Sequence, residues 1–140
     1  MTATQPTTGI LDTSTVILLE RLDVDDLPDE PLITAVTLAE LSVGPLVASD
    51  DAERAARQAR LQQAEADFDP LPFDADAARA FGRVAASLRH TGRKVRARAY
   101  DAMIAAVALA HDLPLYTVNP SDFESIDDLD LRRIVHPDRQ

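Results

Sequence analysis

Residues 101–111 read Asp101-Ala102-Met103-Ile104-Ala105-Ala106-Val107-Ala108-Leu109-Ala110-His111, and 113–119 read Leu113-Pro114-Leu115-Tyr116-Thr117-Val118-Asn119. The first run is rich in strong helix formers and apolar almost all round, so it predicts a helix that is buried rather than one lying on a surface. The second, introduced by Pro114 and carrying Tyr, Thr and Val, predicts a short buried strand. A buried helix that feeds a buried strand is half of a parallel βαβ unit.

The rest of the chain extends that pattern. Gly9-Ile10-Leu11-Asp12 predicts a strand with a helix directly after it over 14–22, and Pro31-Leu32-Ile33-Thr34 a second strand. A helix is expected from Thr37 through Leu41, interrupted at Gly44-Pro45 because proline removes a donor and clashes with the preceding turn. Residues 50–67 are rich in Ala, Arg, Gln and Glu and predict another helix, then a brief extended piece over 70–73. From Asp74 the residues Ala77, Phe81, Val84, Ala85 and Leu88 recur at helical spacing, with Gly92 as the stop. A turn or short helix is expected at Ser121 and a last strand over 133–135. Strands alternating with helices predict an α/β fold with a central parallel sheet covered on both faces.

At 140 residues the chain suits one domain, expected over 9–136 behind a loose lead-in of residues 1–8. There is no cysteine, which excludes disulfides, thiolate zinc sites and a cysteine nucleophile. No apolar run is long enough to span a bilayer, and residues 1–8 lack a basic start and an apolar core, so a cytoplasmic location is expected. A net charge of −10 opposes capture of nucleic acid by the whole surface and suggests a basic partner.

Four carboxylates stand where elements are expected to begin or end: Asp12, Glu40, Asp101 and Asp122. In open α/β sheets the functional crevice lies beyond the carboxyl ends of the strands, where the topology changes direction, and Asp12 and Asp122 each follow a strand. Clustered acids repel one another and lose solvation, which calls for a hard divalent cation. Each acid also has an ordinary reading. Asp12 suits a helix N-cap, Thr37-x-x-Glu40 and Ser121-x-x-Glu124 are capping-box patterns, and Asp101 and Asp122 suit the first turn of a helix.

Order and surroundings make the four more specific than any one of them. Leu11-Asp12-Thr13-Ser14, Ala39-Glu40-Leu41 with Gly44, the run from Asp101 to His111, and the run from Leu113 to Asp122-Phe123 together resemble a PIN-domain protein, in particular a VapC-type ribonuclease toxin of a toxin–antitoxin pair. The likeness spans residues 9–135. It implies a three-layer α/β/α domain and an endoribonuclease that leaves 5′-phosphate ends, with Mg²⁺ or Mn²⁺ held by Asp12, Glu40, Asp101 and Asp122. Asp12 and Asp101 are the expected direct ligands, with Glu40 and Asp122 completing the shell or orienting the nucleophile. Ser14, Thr117 and Asn119 would line the site. A VapB-type antitoxin and a homodimer are implied as well. Val118 stands where family members often carry Arg.

Arg89, Arg93, Lys94, Arg96 and Arg98 form the one dense basic run, just before Asp101. Arg93, Lys94, Arg96 and Arg98 are candidate RNA contacts; the alternative is a solvated loop that offsets the acidic surface. His90, His111 and His136 have no metal-binding spacing. Two other readings compete. A phosphatase or receiver domain would need an acid where Ser14 stands, or a lysine elsewhere than Lys94. A catalytically degenerate PIN-fold protein that only binds a partner would keep the fold without the chemistry.

Overall fold

The computed structural model describes residues 5–139, apart from the side chain of Ala97. Four short strands, β1 (Thr8–Leu11), β2 (Glu30–Leu32), β3 (Leu115–Thr117) and β4 (Leu131–Arg133), form one parallel sheet in the order β2-β1-β3-β4. Pro31 lies in β2, an edge strand, where a missing N–H is tolerated. Five helices connect and cover the strands: α1 (Thr13–Ile17), α2 (Ala35–Val43), α3 (Asp51–Asp67), α4 (Ala75–His90) and α5 (Ala99–His111).

The period-2 alternation of the strands divides the core in two. Ile10 and Leu115, which are register partners, face a cluster built by α4 and α5 with Ala77, Val84, Leu88, Ile104 and Val107. Leu11 and Tyr116, the next pair, face the opposite cluster with Val16, Leu41 and Ala64 from α1, α2 and α3, and with Ile134 just after β4. Helices on both faces of a parallel sheet make the three-layer α/β/α architecture that was expected. The expected buried helix is the most deeply packed element: Ala102 and residues 104–108 have no exposed surface.

Boundaries moved where local sequence is a weak guide. The helix expected over 14–22 stops at Ile17, then a separate 3-10 turn covers Leu19–Arg21. The β-branched Thr15, Val16 and Ile17 support helix poorly, and the chain turns to bury Leu22. The second strand ends at Leu32, not Thr34, because Thr34 caps α2 and makes an isolated bridge to Leu71 instead. Helix α2 begins at Ala35 and α5 at Ala99, each two residues ahead of the expected starts. The last strand lies at Leu131–Arg133 rather than over 133–135. Pairing with β3 sets it, while Val135, which suggested a strand, is 45% exposed. Part of the lead-in is tied down: Thr7 exchanges hydrogen bonds with Asp29 at 2.9 Å, and Thr8 opens β1. Residues 1–4 of that lead-in lie outside the described residues.

One close approach yields a stability prediction. A Cβ added at Gly9 would overlap the ring of Tyr116 on the neighbouring strand, a residue that is itself buried. Gly9→Ala is therefore expected to lower stability by about 1–3 kcal/mol, the usual range for overpacking a core. Urea unfolding at neutral pH measures it, and an unchanged midpoint would show that Tyr116 moves aside freely.

Candidate metal-binding and active site

The sheet order puts β1 and β3 side by side while their outward connections run to opposite edges, so the crevice opens at their carboxyl ends. Asp12 follows β1 at that point, and Thr117 ends β3 beside it. Asp12 is 2% exposed and accepts four hydrogen bonds. Oδ1 takes the Thr15 backbone N–H at 3.2 Å and the Thr15 hydroxyl, while Oδ2 takes the hydroxyls of Ser14 at 2.8 Å and Thr117 at 2.9 Å. Asp12 thus does cap α1, as its ordinary reading proposed, and also faces the crevice. The cap engages one oxygen and the Ser14 and Thr117 hydroxyls the other.

The hydroxyls around it are directional. Each has a single proton, and those of Ser14, Thr15 and Thr117 go to Asp12. Their lone pairs then accept from Asn119 Nδ2 at 3.1 Å, Val118 N at 3.2 Å and Asn119 N at 2.9 Å respectively. Thr13 donates to Glu40 Oε1 at 2.6 Å, so at the 3.0 Å contact with Thr37 it is Thr37 that donates. Thr13, Thr15 and Thr37 as members of this lattice were not anticipated. The Thr13-Ser14-Thr15 run after an aspartate is the visible signal, of which only Ser14 was expected to line the site.

Glu40 is not the capping residue its spacing suggested. Thr34 caps α2, accepting from Thr37 N at 3.3 Å, which places Thr37 inside the helix and Glu40 in its second turn, turned toward Thr13. Asp101 is the third residue of α5, and Asp122 ends a 3-10 turn, Pro120–Asp122, that directly follows β3. No side chain caps that turn, so the Ser121-x-x-Glu124 pattern is unused. Arg98 donates to Asp122 at 2.9 Å. Of the basic run, Arg98 therefore reaches the acids. Arg93, Lys94 and Arg96 lie on the connection between α4 and α5, with Lys94 and Arg96 exposed.

The electrostatics tie the acids together. Burial, then the charges of Asp122, Asp12 and Glu40, push Asp101 up to about 6, with Arg98 opposing. Burial raises Asp12 against the pull of its hydroxyl donors, and it raises Glu40 against the pull of Thr13, with Asp12 adding to the rise. Carboxylates from four separate segments thus feel one another across a single crevice. Among the described residues no group of three or more acidic or histidine side chains is placed so that it could hold a metal ion as it stands. The donor chemistry, carboxylate and hydroxyl oxygens alone, suits Mg²⁺ or Mn²⁺ rather than zinc.

Val118 is 4% exposed and packs in the α1–α3 core, so this position cannot present a cation to the crevice. Two concavities of about 560 and 570 Å³ lie away from the acids, one between residues 16–21 and α3, the other around Leu46 and the start of α3. The convergent charged and polar groups lie instead at the carboxyl ends of β1 and β3.

Thr15→Val is expected to destabilise the fold by about 1–3 kcal/mol, because it leaves the Val118 N–H without a partner in the interior and strips Asp12 of a donor. Chemical denaturation measures this. An unchanged midpoint would mean that the hydroxyl lattice carries no stability.

Residues 10–129 match the model of the PIN domain family. The chain belongs to that family. Ribonuclease VapC5 of Mycobacterium tuberculosis is 44% identical over 128 residues, covering 89% of this chain and 92% of that protein. Ribonuclease VapC4 of the same organism is 34% identical over 126 residues, covering 88% and 94%. A crystal structure of VapBC-5 from M. tuberculosis, a member of the VapBC family of toxin–antitoxin systems, superposes with a TM-score of 0.78 at 42% identity, covering 92% of this chain and 98% of that one. A DNA-bound VapBC from Salmonella typhimurium superposes at 0.71 with 25% identity, covering 92% and 98%. Among the described residues no helix is long and apolar enough to cross a membrane.

Proposed function

We propose that this PIN-domain protein is an Mg²⁺- or Mn²⁺-dependent endoribonuclease, the toxin of a VapBC-type pair, cutting RNA to leave 5′-phosphate ends. The single observation that carries the reading is Asp101. It lies at the mouth of the most buried helix, where burial and then the charges of three other acids push its carboxyl up to about 6, a penalty that a bound cation relieves. The ribonuclease and toxin–antitoxin parts are supported by the relatives, which are ribonucleases and members of VapBC complexes by name.

Asp12 and Asp101 would hold the ion directly, with Glu40 and Asp122 completing the shell. When bound, the ion supplies charge neutralisation at the phosphodiester and a lower pKa for the attacking water. The chain's own residues do the rest. Ser14, Thr15 and Thr117 aim their protons at Asp12 and fix both of its oxygens, which keeps the ligand preorganised. Thr13 does the same for Glu40. Asn119, bonded to Ser14, orients that hydroxyl and lines the site. Arg98 balances Asp122 and offers further N–H donors to a phosphate. Arg93, Lys94 and Arg96 extend the positive rim along the preceding connection.

A VapB-type antitoxin is the proposed protein partner, in keeping with the net charge of −10, and a homodimer is proposed on the family likeness. The degenerate reading is not favoured, because all four acids are present in the sequence.

Incubating the purified chain with total RNA, with Mn²⁺ or with EDTA, and sequencing the new 5′ ends tests the reading. Discrete cleavage that EDTA abolishes is expected. Equal cleavage in EDTA, or none with Mn²⁺, overturns it.

A further inference from the structure

The chain leaves β4 at the same sheet edge that carries the acids, because all four strands are parallel. Ile134 N donates to Thr117 O at 2.8 Å, so residue 134 lies against the end of β3. A turn follows, with Arg139 N donating to His136 O and Asp138 N to His136 Nδ1, both at 3.1 Å. Asp138 is then clamped by Arg21, from the 3-10 turn after α1. Beyond that clamp, the Arg139 guanidinium donates from Nη1 to Asn119 Oδ1 at 3.4 Å. The other end of the same amide bonds Ser14, which bonds Asp12.

We propose that segment 134–139 is one wall of the crevice and that Arg139 binds an RNA phosphate next to the one being cut. This rests on the ribonuclease reading above and adds a substrate-contacting residue to it. The reason is chemical. Arg139 is exposed, and among the described residues it has no carboxylate within ion-pair distance. Its contact with Asn119 is long and engages a neutral oxygen, which leaves most of the guanidinium fork available. An acidic crevice repels the RNA backbone except where a cation stands at its rim, so a phosphate is the partner that gains most there. Arg21 is a positioning residue, acting through Asp138.

The test compares the full-length wild type with Arg139→Ala, Arg139→Lys, Arg21→Asp and the swap Arg21→Asp/Asp138→Arg on a fluorescein-labelled single-stranded RNA of mixed sequence. KM, kcat and equilibrium affinity by anisotropy are read over a series of salt concentrations. Arg139→Ala is expected to weaken affinity and raise KM about tenfold, with kcat changing far less. The slope of log affinity against log salt should become shallower by roughly 0.7, the share of one phosphate on a single strand. Arg139→Lys should retain the slope, Arg21→Asp should lose affinity in part, and the swap should regain it. Unchanged affinity and salt slope in Arg139→Ala overturns the inference, as does a fall in kcat alone. So does weaker binding to a VapB-type antitoxin with RNA affinity intact, which would make the tail a protein-docking element. If the wild type does not cleave RNA at all, the ribonuclease reading fails, and the anisotropy comparison still decides Arg139.

Discussion

Asp101→Asn is expected to abolish RNA cleavage and, in metal-free buffer near about pH 8, to raise the melting temperature by a few degrees. The two effects share one cause. Asparagine keeps the shape of the side chain and removes the charge that the site needs for its cation but that the empty fold bears at a penalty. Altering groups outside the ligand shell alone costs roughly 10- to 100-fold, so loss of a proposed ligand should exceed that.

The sign of the stability effect follows from proton linkage. In the unfolded chain Asp101 titrates near its ordinary value of 3.8, and in the fold burial and the neighbouring acids raise it to about 6. Below the lower value the group is protonated in both states and carries no penalty. Between the two the folded state holds the proton more firmly, so stability declines as pH rises and is fully lost from this source above about 6. Asp12 and Glu40 are raised as well and act in the same direction. The variant should therefore match the wild type in acid and exceed it at higher pH. Partial exposure of Asp101 screens the effect and limits the gain to a few degrees. A variant that unfolds earlier than the wild type at high pH, or that cleaves normally, would remove Asp101 from the proposed role.

The second large expectation is that Mg²⁺ or Mn²⁺ stabilises the wild-type protein against heat, by about 2.7 kcal/mol when the ion stands at a hundred times its dissociation constant. EDTA should reverse the shift. The response should grow as pH passes through about 6, because Asp101 must lose its proton before it can act as a ligand. Asp101→Asn should show little response at any pH. Differential scanning fluorimetry across a grid of pH and metal concentration reads all of this without a substrate. A melting temperature indifferent to millimolar Mn²⁺ at high pH would count against the metal site even if cleavage were observed.

Much of this was legible before any coordinates. The alternation of short apolar strands with helices, and above all the apolar run after Asp101, determined a parallel sheet with two helical layers, because a helix apolar on every side can only be interior. Residue type and order likewise singled out Asp12, Glu40, Asp101 and Asp122, and the resemblance to the PIN domain added Ser14 and Thr117. Local boundaries were less legible. The last strand is set by its pairing with Leu115–Thr117 rather than by its own residues, and the start of α2 by Thr34, which caps the helix in place of Thr37.

Tertiary structure alone decided how the acids meet. Only the fold shows that the Asp12 cap uses one oxygen, bonded to Thr15, while Ser14 and Thr117 donate to the other. Glu40 meets Thr13 only because the fold brings the start of α1 against α2, and the arrival of Arg139 beside Asn119 depends on where β4 ends. Periodicity and propensity act over a few residues, so they settle which elements form. The field at Asp101 is summed over side chains up to about a hundred positions away along the chain, and only folding brings those charges within reach.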